Sequence, residues 1–124
     1  MTADLVDPET ADHLVRTART AIGDSLRSAT YFTRDDYEQL YLRSDLEQDA
    51  DLSTFIGTEW RGFRITKDAY QGSELGDYNY TIRVFDGGYL VRMTTDREGV
   101  LVTTDGITMQ DFEALASAIG AVLR

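Results

Sequence analysis

An α+β fold is predicted by three features of the sequence. Apolar residues recur at spacings of three and four near both ends of the chain. Short runs between Tyr78 and Thr104 alternate apolar with polar residues, and glycine-containing turns separate those runs. The expected order is N-terminal helices, a C-terminal three-stranded antiparallel meander and a closing C-terminal helix, all in a single domain over residues 1–124.

The first helix is announced by Asp7 as N-cap, Pro8 at the first helical position and Glu9 behind it. Ala11, Leu14, Val15, Ala18, Ile22 and Leu26 then form one apolar stripe. On the opposite face Asp12 and Arg16 are an i,i+4 pair, and Arg27 is expected near the negative helix end. Thr30–Phe32 reads as a short strand. Thr33 to Asp36 resembles a capping box that opens a second helix with Tyr37, Leu40 and Tyr41 inward. Apolar spacing resumes at Leu52, Phe55, Ile56 and Trp60, giving a helix expected to end near Gly62, and Gly72 to Gly76 reads as a loop.

The meander comprises Tyr78–Phe85, Tyr89–Thr95 and Val100–Thr104. Thr108 and Asp111 are spaced as reciprocal caps of the final helix, Ile107 and Phe112 as a hydrophobic staple, and Leu115, Ala116, Ile119, Val122 and Leu123 as its buried face.

A first hairpin turning on Gly87-Gly88 would set Arg83 directly across from Arg92. The strand alternation then separates Tyr80, Ile82, Val84, Val91, Met93, Val100 and Val102, a core face, from Arg83, Phe85, Leu90, Arg92 and Leu101 on the other side. Like charges facing across a sheet repel, so a carboxylate is expected beside the two arginines. It could be internal, from the acid-rich segment Asp45 to Asp51, as structural ion pairs outnumber functional ones. Alternatively Arg83, Phe85, Leu90, Arg92 and Leu101 form an interaction face for an acidic partner or an anionic ligand.

The chain carries 22 acidic and 12 basic residues for a net charge of -10, and Lys67 is its only lysine. Aspartate-rich, lysine-poor surfaces hold water and cations in molar salt, which points to a halophilic archaeal source. A field of this sign disfavours nucleic acid and acidic lipid as partners. Met1 to Asp4 lacks a basic stretch followed by an apolar run, and no segment reaches the ~18 apolar residues of a membrane span, so a cytoplasmic, membrane-free location is expected.

Chemistry-bearing motifs are sparse. There is no cysteine, so no thiolate site is available, and His13 is the only histidine, so any base–nucleophile relay or histidine metal cluster would have to be built around it alone. Asp45, Glu47, Asp49 and Asp51 echo a calcium loop, but Ala50 takes the glycine position and Ile56 that of the bidentate glutamate. The glycines match neither a dinucleotide fingerprint nor a phosphate loop. No catalytic residue, metal or cofactor is assigned.

The stretches Tyr31–Arg43, Ser73–Gly76 and Thr81–Phe85 through Gly88–Arg92 resemble a family of short acidic haloarchaeal proteins of unknown function. A first helix, a meander and a closing helix also resemble roadblock and profilin-like folds, which implies a dimerising scaffold or regulator. The extra helical segment before the sheet departs from that pattern. The favoured expectation is a non-enzymatic regulatory or adaptor protein with an unknown protein partner and a possible homodimer. The alternative is an anionic-ligand or enzymatic domain with a carboxylate-and-arginine pocket that Tyr31 or Tyr41 would help to line.

Overall fold

The computed structural model describes residues 5–46 and 53–123. Their elements, in order, are α1 (Pro8–Ile22), a 3-10 turn (Gly23–Ser25), β1 (Leu26–Phe32), β2 (Tyr37–Leu42), α2 (Ser53–Tyr70), β3 (Tyr80–Phe85), β4 (Gly88–Thr94), β5 (Gly99–Thr104) and α3 (Met109–Leu123). The strands form one antiparallel sheet in the order β2-β1-β5-β4-β3. The α+β class stands, and the sheet is larger than the expected meander by the two strands β1 and β2.

Local signals placed both terminal helices. Asp7 accepts the Thr10 amide at 3.1 Å, and the Thr108 and Asp111 side chains each accept the other's backbone N–H. The Asp12–Arg16 pair forms at 2.9 Å on the exposed face of α1. That helix stops earlier than its apolar stripe suggests. Gly23 adopts φ +58° and ends it, so Leu26 opens β1, although it remains fully buried in the same core. Arg27 is consequently a strand residue paired with Asp105, not a helix-end cation.

The second helix expected at Tyr37 to Tyr41 is instead β2. Its register with β1 slips by one residue between Ala29 and Thr30, leaving an extra residue on β2 at Leu40. The bulge sends Tyr37 to one face of the sheet, and Leu40 and Tyr41 both to the other. Residues i, i+3 and i+4 are thereby apolar without a helix.

α1 and α3 cover one face, enclosing Leu14, Ala18, Leu26, Ala29, Val91, Met93, Val100, Val102, Phe112, Leu115 and Ile119. The face assigned to them from strand alternation is the one they cover, except at Val84, which protrudes into solvent. α2 covers the opposite face, where Ile56 meets Phe32 and Leu101 with Trp60, Tyr37 and Leu90 around them. It runs past Gly62 to Tyr70, and the chain turns at Gly72 with φ +78°.

Candidate interaction face

The side of the sheet beneath α2 is where the sequence located two arginines. The β3–β4 hairpin turns on Asp86-Gly87, not Gly87-Gly88, so the observed pairs are Arg83 with Leu90 and Thr81 with Arg92. Gly88 is therefore the first residue of β4. It has φ +154°, and a Cβ there would stand 2.3 Å from the Thr104 carbonyl oxygen, so this strand position accepts only glycine. A shift of two residues preserves which face each side chain takes. Arg83 and Arg92 remain on one face, as diagonal neighbours rather than direct opposites.

The carboxylate that answers both is Glu59 of α2. Its Oε2 accepts from Arg83 Nε at 2.8 Å and its Oε1 from Arg83 Nη2 at 3.2 Å, a bidentate pair. Oε1 also accepts from Arg92 Nη1 at 2.8 Å, and the same nitrogen reaches the Glu59 carbonyl at 2.7 Å. Arg92 Nη2 donates to the Thr81 and Tyr78 hydroxyls. Arg92 is 1% exposed and Glu59 5%. The hydrogen bond from Arg83 to Glu59 raises the arginine's pKa above its ordinary value. Gly62 lets the cluster form: a Cβ at this position would lie 2.9 Å from Arg92 Nη1.

The acid-rich segment does not supply this carboxylate. Asp45 pairs with Arg43 at 2.7 Å, and residues 47–51 lie outside the described residues. Of the five residues read as one face, Arg92 and Leu101 are buried under α2 and Leu90 is half-buried. Arg83 keeps an exposed edge, and Phe85, at the end of β3, is 58% exposed.

Neither tyrosine considered as a pocket lining joins the arginines. Tyr31 lies in the core under α1 and α3 and donates to Glu98 at 2.6 Å; burial, then that bond, raises its phenol pKa. Tyr41 accepts from Arg19 at 2.9 Å. His13 is exposed on α1. Among the described residues, no three His, Asp or Glu side chains converge as a metal site.

Sequence reasoning missed Glu59, although a signal was present: it is the only acid between Leu52 and Lys67. It also missed the surface around α2, where Phe55, Ile65 and Tyr70 are exposed and Ile65 lines a cleft with Arg61 and Arg64.

No curated protein matches the chain in sequence. Among solved structures it is similar to the gliding protein MglB of Thermus thermophilus, with TM-score 0.66 and 8% identity over 98% of this chain and 96% of that one. It is also similar to MglB of Myxococcus xanthus, with TM-score 0.62 and 7% identity over 93% and 92% of the two chains. An MglB structure described as a tetrameric arrangement aligns with TM-score 0.65 and 8% identity over 98% and 96%. At these identities the likeness establishes a roadblock-like fold and nothing finer. Across residues 12–124 the sequence matches a family described as a domain of unknown function (DUF7522), and the chain belongs to that family.

Proposed function

We propose that this protein is a non-enzymatic regulatory or adaptor protein of a halophile's cytoplasm, working through protein–protein contacts and self-associating along β3. The observation that carries this reading is the sheet edge formed by β3. Among the described residues β3 pairs only with β4, so its outer backbone groups have no strand partner there. Val84 and Phe85, at its end, are 72% and 58% exposed and lie on opposite faces of the strand. An unprotected apolar edge is a template for strand addition, and a second copy can satisfy it isologously. The tetrameric arrangement described for MglB is consistent with such assembly in this fold. Of the interaction face read from the sequence, Phe85 and the outer edge of Arg83 are the portion assigned to contact. Leu90, Arg92 and Leu101 support it from beneath α2. A small-anion or catalytic site at the two arginines is disfavoured, because the Glu59 carboxylate already pairs with both.

Light scattering in molar KCl tests the proposal. Wild type is expected to be dimeric or larger, and Val84→Lys with Phe85→Glu to be monomeric with an unchanged circular dichroism melt. A wild-type protein that stays monomeric at high concentration overturns self-association.

A further inference from the structure

We infer that a second surface, at the Trp60 end of α2, binds an acidic peptide segment of a partner protein. This inference does not depend on self-association through β3. An open cleft of about 900 Å³ lies between α2, the β1–β2 turn and the β4–β5 turn. Arg34 comes from the first turn, Arg97 from the second, and Arg61 and Arg64 from α2. Four arginines thus meet on a chain whose net charge is -10.

Their pairing state sets them apart. Arg16, Arg19, Arg27, Arg43, Arg83 and Arg92 each have a carboxylate partner elsewhere. Arg34, Arg61 and Arg97 have none among the described residues, and all three line this cleft. With carboxylates so abundant, three guanidinium groups that have no carboxylate partner among the described residues and converge on one concavity leave a local positive site within a negative field. Two aspartates are also present. Asp96 is engaged by Lys67 and, at 3.9 Å, by Arg64, and the hydrogen bond from Lys67 lowers its pKa. Asp35 also lines the cleft.

The floor is apolar. Trp60 meets Phe32 edge-on at 6.3 Å and Phe63 at 6.0 Å, which anchors one side of the indole in the core while another lines the cleft. Ile65 beside it is 68% exposed. Gly57 lets Arg61 lie back along α2, since a Cβ there would approach Nη1 at 3.3 Å.

Arginine forks suit carboxylates as well as phosphates, and the surroundings select between them. The donors come from separate elements and spread over an open surface, and none of the lining residues opens a helix whose N-terminus could cradle a phosphate. The chain's charge opposes a polyanionic nucleic acid. Carboxylates interspersed with an apolar side chain for the Trp60 and Ile65 floor match both features. Contact at hydrogen-bond distance also survives molar salt, where the screening length is about 3 Å.

The test titrates the protein in molar KCl with a synthetic peptide of glutamate pairs separated by single leucines, followed by calorimetry and by fluorescence of Trp60, the only tryptophan. Saturable binding is expected, weakened at least ~10-fold in Arg34→Gln, Arg61→Gln, Arg97→Gln protein. Those three side chains are exposed, so the variant should keep its circular dichroism melt. No saturable signal by either method, or binding unaffected by the triple substitution, overturns the inference. So does pyrophosphate binding in place of the peptide, which would mark a small-anion site.

Discussion

Glu59 of α2 and Arg92 of β4 form an ion pair at 2.8 Å with both side chains almost fully removed from solvent. A buried pair gives little net stability relative to apolar residues of the same size, but loss of one partner strands the other charge. Arg92 Nε is itself buried without a hydrogen-bond partner among the described residues, so the network is incompletely satisfied. Glu59→Gln should cost about 3–5 kcal/mol. The double variant Glu59→Leu, Arg92→Met should lose less than Glu59→Gln alone. Urea unfolding at constant KCl measures both, and a Glu59→Gln loss under about 1 kcal/mol would refute the account.

Gly62 supplies a test whose sign decides. An interior helical glycine replaced by alanine normally gains about 1 kcal/mol. Here the new methyl would press on Arg92 Nη1, the far end of a side chain that its bonds to Glu59, Thr81 and Tyr78 hold in place. Gly62→Ala should therefore destabilise by about 1–3 kcal/mol, as overpacking does. In an Arg92→Met background the substitution should become neutral or stabilising.

Asp105 predicts a pH dependence. It joins Arg43 at 2.6 Å and Arg27 at 3.1 Å, tying the ends of β1 and β2 to the chain just after β5. Those bonds, Arg43's first, depress its pKa below the ordinary 3.8. A group with a depressed folded-state pKa contributes stability above its unfolded value and loses it as pH falls through the folded one. Asp105→Asn should thus be less stable than wild type at neutral pH, and the two should converge in strong acid. Parallel denaturation series at neutral and strongly acidic pH check this, and a constant gap would exclude it.

The net charge of -10 predicts a salt requirement. Molar KCl screens exposed charges beyond about 3 Å, and its removal restores the repulsion among them. The circular dichroism melting temperature should fall steadily from molar to millimolar KCl. An unchanged melt would count against halophilic adaptation.

Much of this protein was legible in its sequence because the relevant signals are local. Asp7, Pro8, Thr108 and Asp111 define helix starts within one turn, and period-two alternation assigned the two faces of the meander residue by residue. The errors share one origin, which is that neighbouring sequence cannot report a distant contact. The bulge in β2 makes Tyr37, Leu40 and Tyr41 look helical, and only pairing with β1 shows them extended. The hairpin register is settled by Gly88 pressed against Thr104 of a different strand.

The arginine face shows the same division. By itself the sequence determined that Arg83 and Arg92 share a sheet face and require a carboxylate, because alternation and like-charge repulsion follow from strand geometry alone. Only the tertiary structure decided that Glu59 is the carboxylate, that Arg92 is enclosed, and that Arg34, Arg61 and Arg97 gather around Trp60 with no carboxylate partner among the described residues. Those outcomes depend on how α2 packs across the sheet and the turns at its end, where residues far apart in the chain come within hydrogen-bond distance.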